Sequence, residues 1–114
     1  MDKPMLNTTY DFPLIDGSTV KLTLAFYYLY QLRSQHRELY ERYNKIMQNT
    51  KGDFDILDMV TVCYVGYMCA NMNAENVMTE EEFYMACGSN MTEVSKAMGH
   101  LINPKKQKAS ANRS

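Results

Sequence analysis

The chain has 114 residues, a length that suits one small domain. Hydrophobic residues make up 46% of it and charged residues 22%, an ordinary globular composition that excludes a chain disordered throughout. The net charge is −1, but residues 1–103 carry 8 basic against 13 acidic side chains, and the other 4 basic ones fall in residues 104–114. An acidic body with a short basic end is a poor match for the phosphate surface of a nucleic acid.

The sequence predicts neither a membrane span nor a secretory leader. The longest apolar run, residues 59–70, has 12 residues, whereas crossing a bilayer takes about 20. The first residues are polar and contain no apolar leader core. The three cysteines, Cys63, Cys69 and Cys87, have no CxxC spacing. We therefore expect free buried thiols in a reducing cytosol, rather than a disulfide framework or a zinc site.

A β-hairpin is predicted near the beginning of the chain. Residues 12–24 read FPLIDGSTVKLTL, with the turn-forming pair Asp16-Gly17 between two apolar runs. After the turn every second residue is apolar (Val20, Leu22 and Leu24), which is the period of a half-buried strand. Pro13 weakens the first arm and favours a sheet edge.

From Ala25 the apolar spacing becomes that of a helix. Residues Leu29, Leu32, His36, Leu39, Tyr43 and Ile46 follow a 3-4-3-4-3 spacing. Charged residues populate the other side of the same stretch. This pattern predicts one long amphipathic helix over residues 25–48, with His36 as a core or boundary residue. Residues 49–53 end it.

A second helix is predicted over residues 55–72, with Asp53 or Asp55 as its N-cap. Its sequence, DILDMVTVCYVGYMCANM, is apolar on nearly every side, which is typical of a helix that is buried on several sides or covered by a partner. A buried strand is the alternative, because valine and tyrosine favour strands, although the length of the run favours a helix. Gly66 would permit a close helix approach.

Two shorter helices follow. Thr79 and Glu82 form a capping-box pattern, and the helix they start ends at Cys87, before Gly88. The next helix covers about 91–102, is capped by Ser89 or Asn90, and is stopped by Asn103-Pro104.

No arrangement typical of an enzyme is found. The candidate nucleophiles are the three cysteines, and the candidate bases are His36 and His100, but no catalytic motif surrounds any of them. The carboxylates of Glu80, Glu81 and Glu82 point in different directions on a helix, so they cannot converge on one metal ion. We predict a non-enzymatic protein with no catalytic, cofactor or metal residues.

A helix-turn-helix DNA-binding regulator is the alternative function. Residues 81–97 fit that motif, with Gly88 in the turn and Val94 packed inward. The side chains available to a nucleic acid would be Thr92, Ser95, Lys96 and His100. This segment carries little basic charge, so binding to nucleic acid is not expected.

Tyrosine and methionine are abundant, with 9 and 10 residues respectively. Tyrosine suits surfaces that are dry on one side and wet on the other, and methionine suits adaptable contacts. Two interpretations remain open: these residues fill the core, or some of them form an interface with another chain or a second copy. The protein-binding candidates on the first two predicted helices are Tyr27, Tyr30, Tyr40, Tyr64 and Met68.

The order of five segments resembles the tail assembly chaperones of long-tailed bacteriophages and prophages. These segments are LIDGSTVKLTL, FYYLYQLR, DMVTVCYVGYMCANMN, MTEEEFYMACG and LINPKKQ, and they cover residues 12–107. The resemblance implies a non-enzymatic protein of the host bacterial cytoplasm, absent from the mature virion. Its implied partners are the tape measure protein and the tail tube protein. Many members also make a longer product by ribosomal frameshifting, which Lys105-Lys106 would permit.

Together these observations predict a mainly α protein of about four helices, with an N-terminal β-hairpin. Residues 1–9 are expected to be flexible, residues 10–103 to form the single domain, and residues 104–114 to be a disordered basic tail. The expected function is chaperoning of the tape measure protein, with self-association and no membrane partner. A homo-oligomeric structural protein is the third possibility.

Overall fold

A computed structural model of the chain describes residues 9–49 and 54–102. In chain order the elements are β1 (Thr9–Pro13), β2 (Thr19–Thr23), α1 (Phe26–Gln35), α2 (Arg37–Met47), α3 (Ile56–Ala70), α4 (Glu80–Cys87) and α5 (Met91–Ile102). The protein is mainly helical with an N-terminal hairpin, as predicted, and the described part has five helices instead of about four. The expected flexible start, up to residue 8, and the expected basic tail lie outside the described residues.

The hairpin forms around the predicted turn and begins earlier than expected. Its strands are antiparallel, with Thr9 opposite Thr23 and Pro13 opposite Thr19. Asp16 accepts hydrogen bonds from the Ser18 N–H at 2.9 Å and the Ser18 hydroxyl at 2.6 Å, which fixes the turn. The two faces differ as the alternation requires: one has buried Phe12 and Leu22, and the other an exposed Asp11–Lys21 ion pair of 2.7 Å.

The predicted helix over residues 25–48 is wrong as a single element, because the chain breaks at His36. There φ is −136° and ψ is 66°, and His36 ends α1 and precedes α2. A straight helix of that length would extend about 36 Å, whereas the 15-residue α3 is only about 22 Å long. The break lets both halves pack on α3. It also leaves His36 exposed instead of in the core or at its boundary.

Helix α3 is the centre of the fold. It begins after Asp55, whose carboxylate accepts the N–H of Leu57 at 3.1 Å, so Asp55 is the N-cap. Ten consecutive residues, 60–69, are buried. This confirms the predicted helix over the strand alternative, and it explains the apolar sequence: the hairpin, α1, α2, α4 and α5 all pack against α3.

The predicted capping box and turn glycine of α4 and the predicted Asn90 cap of α5 are confirmed, whereas the predicted stop at Asn103-Pro104 lies outside the described residues. The Thr79 hydroxyl accepts the Glu82 N–H at 3.2 Å, and the Glu82 carboxylate accepts the Thr79 N–H at 2.9 Å. Gly88 ends α4 with a φ of +66°, and Asn90 then accepts the N–H of Glu93 at 3.3 Å at the start of α5.

Gly66 lies at a close approach between three elements, although the prediction was of a close helix approach and the nearest neighbour is the strand β2. A Cβ at this position would lie 3.1 Å from the Cβ of Leu22 and 3.4 Å from the backbone nitrogen of Thr23 on β2. It would also lie 3.5 Å from a methyl group of Leu101 on α5. The missing side chain therefore lets the hairpin and α5 pack tightly on α3.

Candidate functional site

The five predicted protein-binding residues fall into two groups. Tyr27 and Tyr30 are exposed on α1, and Tyr40 is half-buried on α2. Tyr64 and Met68 belong to the core on α3, with only 6% and 7% of their surface exposed. The structure thus brings Tyr30 and Tyr40 together at the surface, while Tyr64 and Met68 add almost no exposed apolar area.

Helix α1 presents three aromatic side chains to solvent. Phe26 is 87% exposed, Tyr27 55% and Tyr30 60%. The opposite side of α1 packs inward through buried Leu32, so these rings cannot also reach the core. We call these three residues the aromatic face of α1. Exposed aromatic groups this close together on a small protein indicate an interaction surface.

A groove of about 380 Å³ runs between α1 and α2, next to the aromatic face. It is lined by Phe26, Tyr30 and Arg33 of α1 and by Tyr40, Tyr43 and Met47 of α2. We call it the α1–α2 groove. The rings of Tyr40 and Tyr43 lie 6.0 Å apart along its α2 side. Because the break at His36 separates the two helices, the groove exists only in the bent arrangement.

Arg33 lies between the two sides of the groove. Its guanidinium carbon is 6.0 Å from the centre of the Tyr30 ring and 5.9 Å from that of Tyr40. Both distances are within reach of a cation–π interaction, so the arginine joins an α1 ring to an α2 ring. Burial raises the pKa of Tyr43 to about 12, which keeps that neighbouring phenol neutral. Arg33 therefore supplies the charge in an otherwise neutral aromatic groove.

Helix α2 is anchored on its other side by an ion pair. Arg42 donates two hydrogen bonds to the carboxylate of Glu80, of 2.8 and 2.7 Å. Hydrogen bonding from Arg42 holds the pKa of Glu80 below its ordinary value. This pair ties α2 to the first residue of α4, which helps to hold the α2 side of the groove in place.

Sequence reasoning missed Phe26, Arg33 and Tyr43 as site residues. In the sequence pattern Tyr43 belongs to the apolar stripe, Phe26 lies beside it, and Arg33 lies on the charged side of one straight helix. The available signal was the spacing of Phe26, Tyr30 and Arg33 at i, i+4 and i+7, which places them on one side of α1. What it could not give is the position of α2, since that depends on the break at His36.

The structure places the three cysteines in the core, His36 in an exposed position and His100 in a half-buried one. Cys63, Cys69 and Cys87 are free and buried, and burial raises their pKa values to about 12, 12 and 11. Such thiols carry little thiolate, the reactive form, at neutral pH. His100 contacts the Tyr10 ring at 5.1 Å, far from exposed His36 along the chain. Nor do residues 9–49 and 54–102 contain a cluster of three or more metal-ligating side chains.

The predicted helix-turn-helix segment corresponds to α4 and α5, which both pack on α3. Val94 points inward, as expected, and Thr92, Ser95 and Lys96 are exposed. Lys96 lies 3.6 Å from Glu93 on the same helix, so part of its charge is compensated. The segment thus offers little uncompensated positive charge for phosphate contacts.

Within the described ranges, none of the helices has the length and apolarity that a membrane span requires. A scan against protein-family models matched none, and searches of curated proteins and of solved structures found no match either.

Proposed function

We propose that this chain is a non-enzymatic tail assembly chaperone that binds and solubilises the tape measure protein while a phage tail is built. The observation that carries the proposal is the exposed aromatic face of α1 beside the α1–α2 groove. A long helical client with exposed apolar stripes would aggregate alone, and a groove between two helices suits such a stripe. The order of the sequence segments supports this choice of client.

The size of the surface fits weak, repeated contacts. Three aromatic side chains of 150–250 Å² each, more than half exposed, give roughly 300–500 Å² of apolar area. Burying that area would contribute about 10 kcal/mol, which is comparable to the cost of bringing two molecules together. One contact is then weak, while many copies along one client bind through multivalency.

Weak contacts also suit the rest of the proposed role. The chaperone has to leave when tail tube subunits polymerise around the tape measure protein, so it acts in the cytoplasm of the host and is absent from the finished virion. Self-association would place several grooves along one client. The helix-turn-helix alternative is less well supported, because residues 1–103 carry 8 basic against 13 acidic side chains.

Co-expression with a tape measure protein from the same genome tests the proposal. The test variant carries Phe26→Ser and Tyr30→Ser, which remove most of the exposed aromatic area. The matched control carries Leu57→Ser and Met85→Ser, two exposed apolar residues outside the groove. We expect the wild type and the control to keep the client soluble and the test variant to leave it in the pellet.

The result that would contradict the proposal is equal client solubility with all three proteins, or no client solubility with the wild type. The salt dependence of binding to the purified protein separates the alternative function. Apolar client binding should persist at moderate salt, whereas binding to duplex DNA should fall steeply between low and moderate salt.

A further inference from the structure

We infer that the α1–α2 groove takes an amphipathic helix that carries a carboxylate beside its apolar stripe, and that Arg33 receives this carboxylate. The inference rests on the proposed function, since it specifies the client chemistry that the groove recognises.

Most cations of the described residues already have a carboxylate partner. Lys21 pairs with Asp11, Arg37 with Glu41, Arg42 with Glu80, and Lys96 with Glu93. In the part of the chain that the structure describes, Arg33 and Lys45 lack such a partner. Of these two, only Arg33 lines the aromatic groove.

The guanidinium of Arg33 is held in a way that leaves its donors available. Its contacts are with the rings of Tyr30 and Tyr40, at 6.0 and 5.9 Å. These cation–π contacts use the charge of the guanidinium but do not occupy its N–H donors as a carboxylate would. The side chain is exposed. A guanidinium placed this way can donate a pair of parallel hydrogen bonds to an incoming carboxylate.

The form of the groove specifies the rest of the ligand. Two helices form its sides, and aromatic rings and Met47 line it, which suits the apolar stripe of a third helix. The exposed residues Phe26, Tyr30 and Arg33 repeat at helical spacing, so a helix lying along α1 would meet two rings and then the cation. A carboxylate just beside the apolar stripe of that helix would reach Arg33.

A nucleic acid is a less suitable occupant, although arginine and tyrosine can stack on bases. Residues 1–103 carry 8 basic against 13 acidic side chains, and this excess of negative charge opposes a polyanion. A single carboxylate on a helix brings far less negative charge. Charge complementarity therefore favours an acidic amphipathic helix.

Peptide titration tests the inference. Three labelled peptides of about 18 residues share one leucine stripe and differ at one position beside it, which holds Glu, Gln or Lys. Fluorescence anisotropy measures their binding to the full chain. We expect the Glu peptide to bind roughly three- to ten-fold more tightly than the Gln peptide, and the Lys peptide to bind more weakly than either.

Variants of the protein assign this preference to Arg33. In Arg33→Gln the preference for Glu over Gln should vanish while binding of the Gln peptide is retained, which shows that the groove is intact. Arg33→Lys should keep part of the preference, because the charge remains but the fork of donors is lost. The control is Lys45→Gln, which removes the other unpaired cation outside the groove and should keep the full preference.

Four results would overturn the inference. These are an unchanged preference in Arg33→Gln, a loss of preference in Lys45→Gln, tighter binding of a single-stranded oligonucleotide than of the Glu peptide, and a stable dimer that excludes all three peptides.

Failure of the proposed function would give a different set of results. If the peptides behave as expected but client solubility ignores the aromatic face, the surface chemistry stands and the chaperone role falls. If client solubility depends on the face but no peptide preference exists, the role stands and the inference falls.

Discussion

At the scale of single residues, two tyrosines show why residue type alone does not locate a binding surface. The Tyr64 hydroxyl donates to the carbonyl of Met78 at 2.9 Å, and the N–H of Met78 donates to the Tyr67 hydroxyl at 2.8 Å. Together they fix the backbone just before the N-cap of α4. Tyr64 was a candidate for partner contact because tyrosine suits half-wet surfaces, but backbone groups inside the fold satisfy its hydroxyl equally well.

The Arg42–Glu80 pair predicts a pH dependence at this scale. The pKa of Glu80 in the folded protein is lowered, so the pair stabilises the fold above the unfolded-state pKa near 4.5, and this stabilisation is lost as the pH falls through the folded-state pKa. We expect Glu80→Gln to lower the free energy of unfolding by up to about 1 kcal/mol at neutral pH, because the pair is partly exposed. The difference from wild type should shrink between pH 5 and 3.

Urea titrations at several pH values measure this difference. Glu41→Gln is the matched control, because its carboxylate makes one contact of 3.3 Å with exposed Arg37. A smaller and flatter effect is expected there. If Glu80→Gln differed from wild type by the same amount at every pH, the ion pair would not be the cause.

At the scale of elements, local signals set the helix ends while packing set the helix count. The capping box of Thr79 and Glu82 and the turn at Gly88 depend on backbone groups within a few residues, so the sequence contains all the information needed. The break at His36 does not depend on such a signal. The break allows both α1 and α2 to pack on α3, a helix that comes later in the chain.

The turn between α4 and α5 predicts a strong requirement for glycine. Gly88 has φ +66° and ψ −126°, a conformation that other residues rarely adopt, and an added Cβ would lie 2.6 Å from a methyl group of Ile15. We expect Gly88→Ala to lower the free energy of unfolding by about 2 kcal/mol or more. Gly17→Ala is the control, since Gly17 has φ +93° but open space around it.

Denaturant melts of both variants separate backbone strain from crowding. Gly17→Ala should be destabilised by strain alone, and Gly88→Ala by strain together with displacement of Ile15. Equal losses would mean that Ile15 moves away at no cost. A smaller loss at Gly88 would contradict the predicted requirement.

At the scale of the whole molecule, one buried helix organises the other elements. Residues 60–69 of α3 are all buried, because the hairpin, two helices on the N-terminal side and two on the C-terminal side surround it. Because all of these elements contact α3, a displacement of one of them would expose part of the α3 surface that it covers. Close packing of the hairpin on α3 is therefore a property of the whole molecule.

Gly66 tests that packing. Gly66→Val should lower the free energy of unfolding by about 2–3 kcal/mol, because the new side chain meets fully buried Leu22 and the backbone of Thr23. Gly66→Ala should cost less, since alanine favours the helix by about 1 kcal/mol. Ala70→Val, at the half-buried end of α3, controls for the helix propensity of valine. Urea melts in which both valine variants lost the same stability would contradict a close approach at Gly66.

The helix caps, the turns and the two regular apolar periods can be predicted from the amino-acid sequence. The Asp55 cap, the capping box and the turn glycines follow from contacts between near neighbours in the chain, and the strand period and the length of α3 are visible in the order of apolar residues. The mainly helical class can also be predicted, because it follows from the spacing of apolar residues. The burial of the three free cysteines can be predicted from their lack of CxxC spacing.

The position of the helix break and the identity of the exposed aromatic residues depend on tertiary packing. One 3.6-residue period is compatible with a straight helix and with two helices that meet at His36, because both present the same apolar side. The core around α3 contains Leu32 of α1 together with Tyr64 and Met68 of α3 itself, while Phe26, Tyr27 and Tyr30 of α1 remain exposed. The groove around Arg33 forms from aromatic residues that the small core does not bury, and no local sequence pattern shows which residues these are.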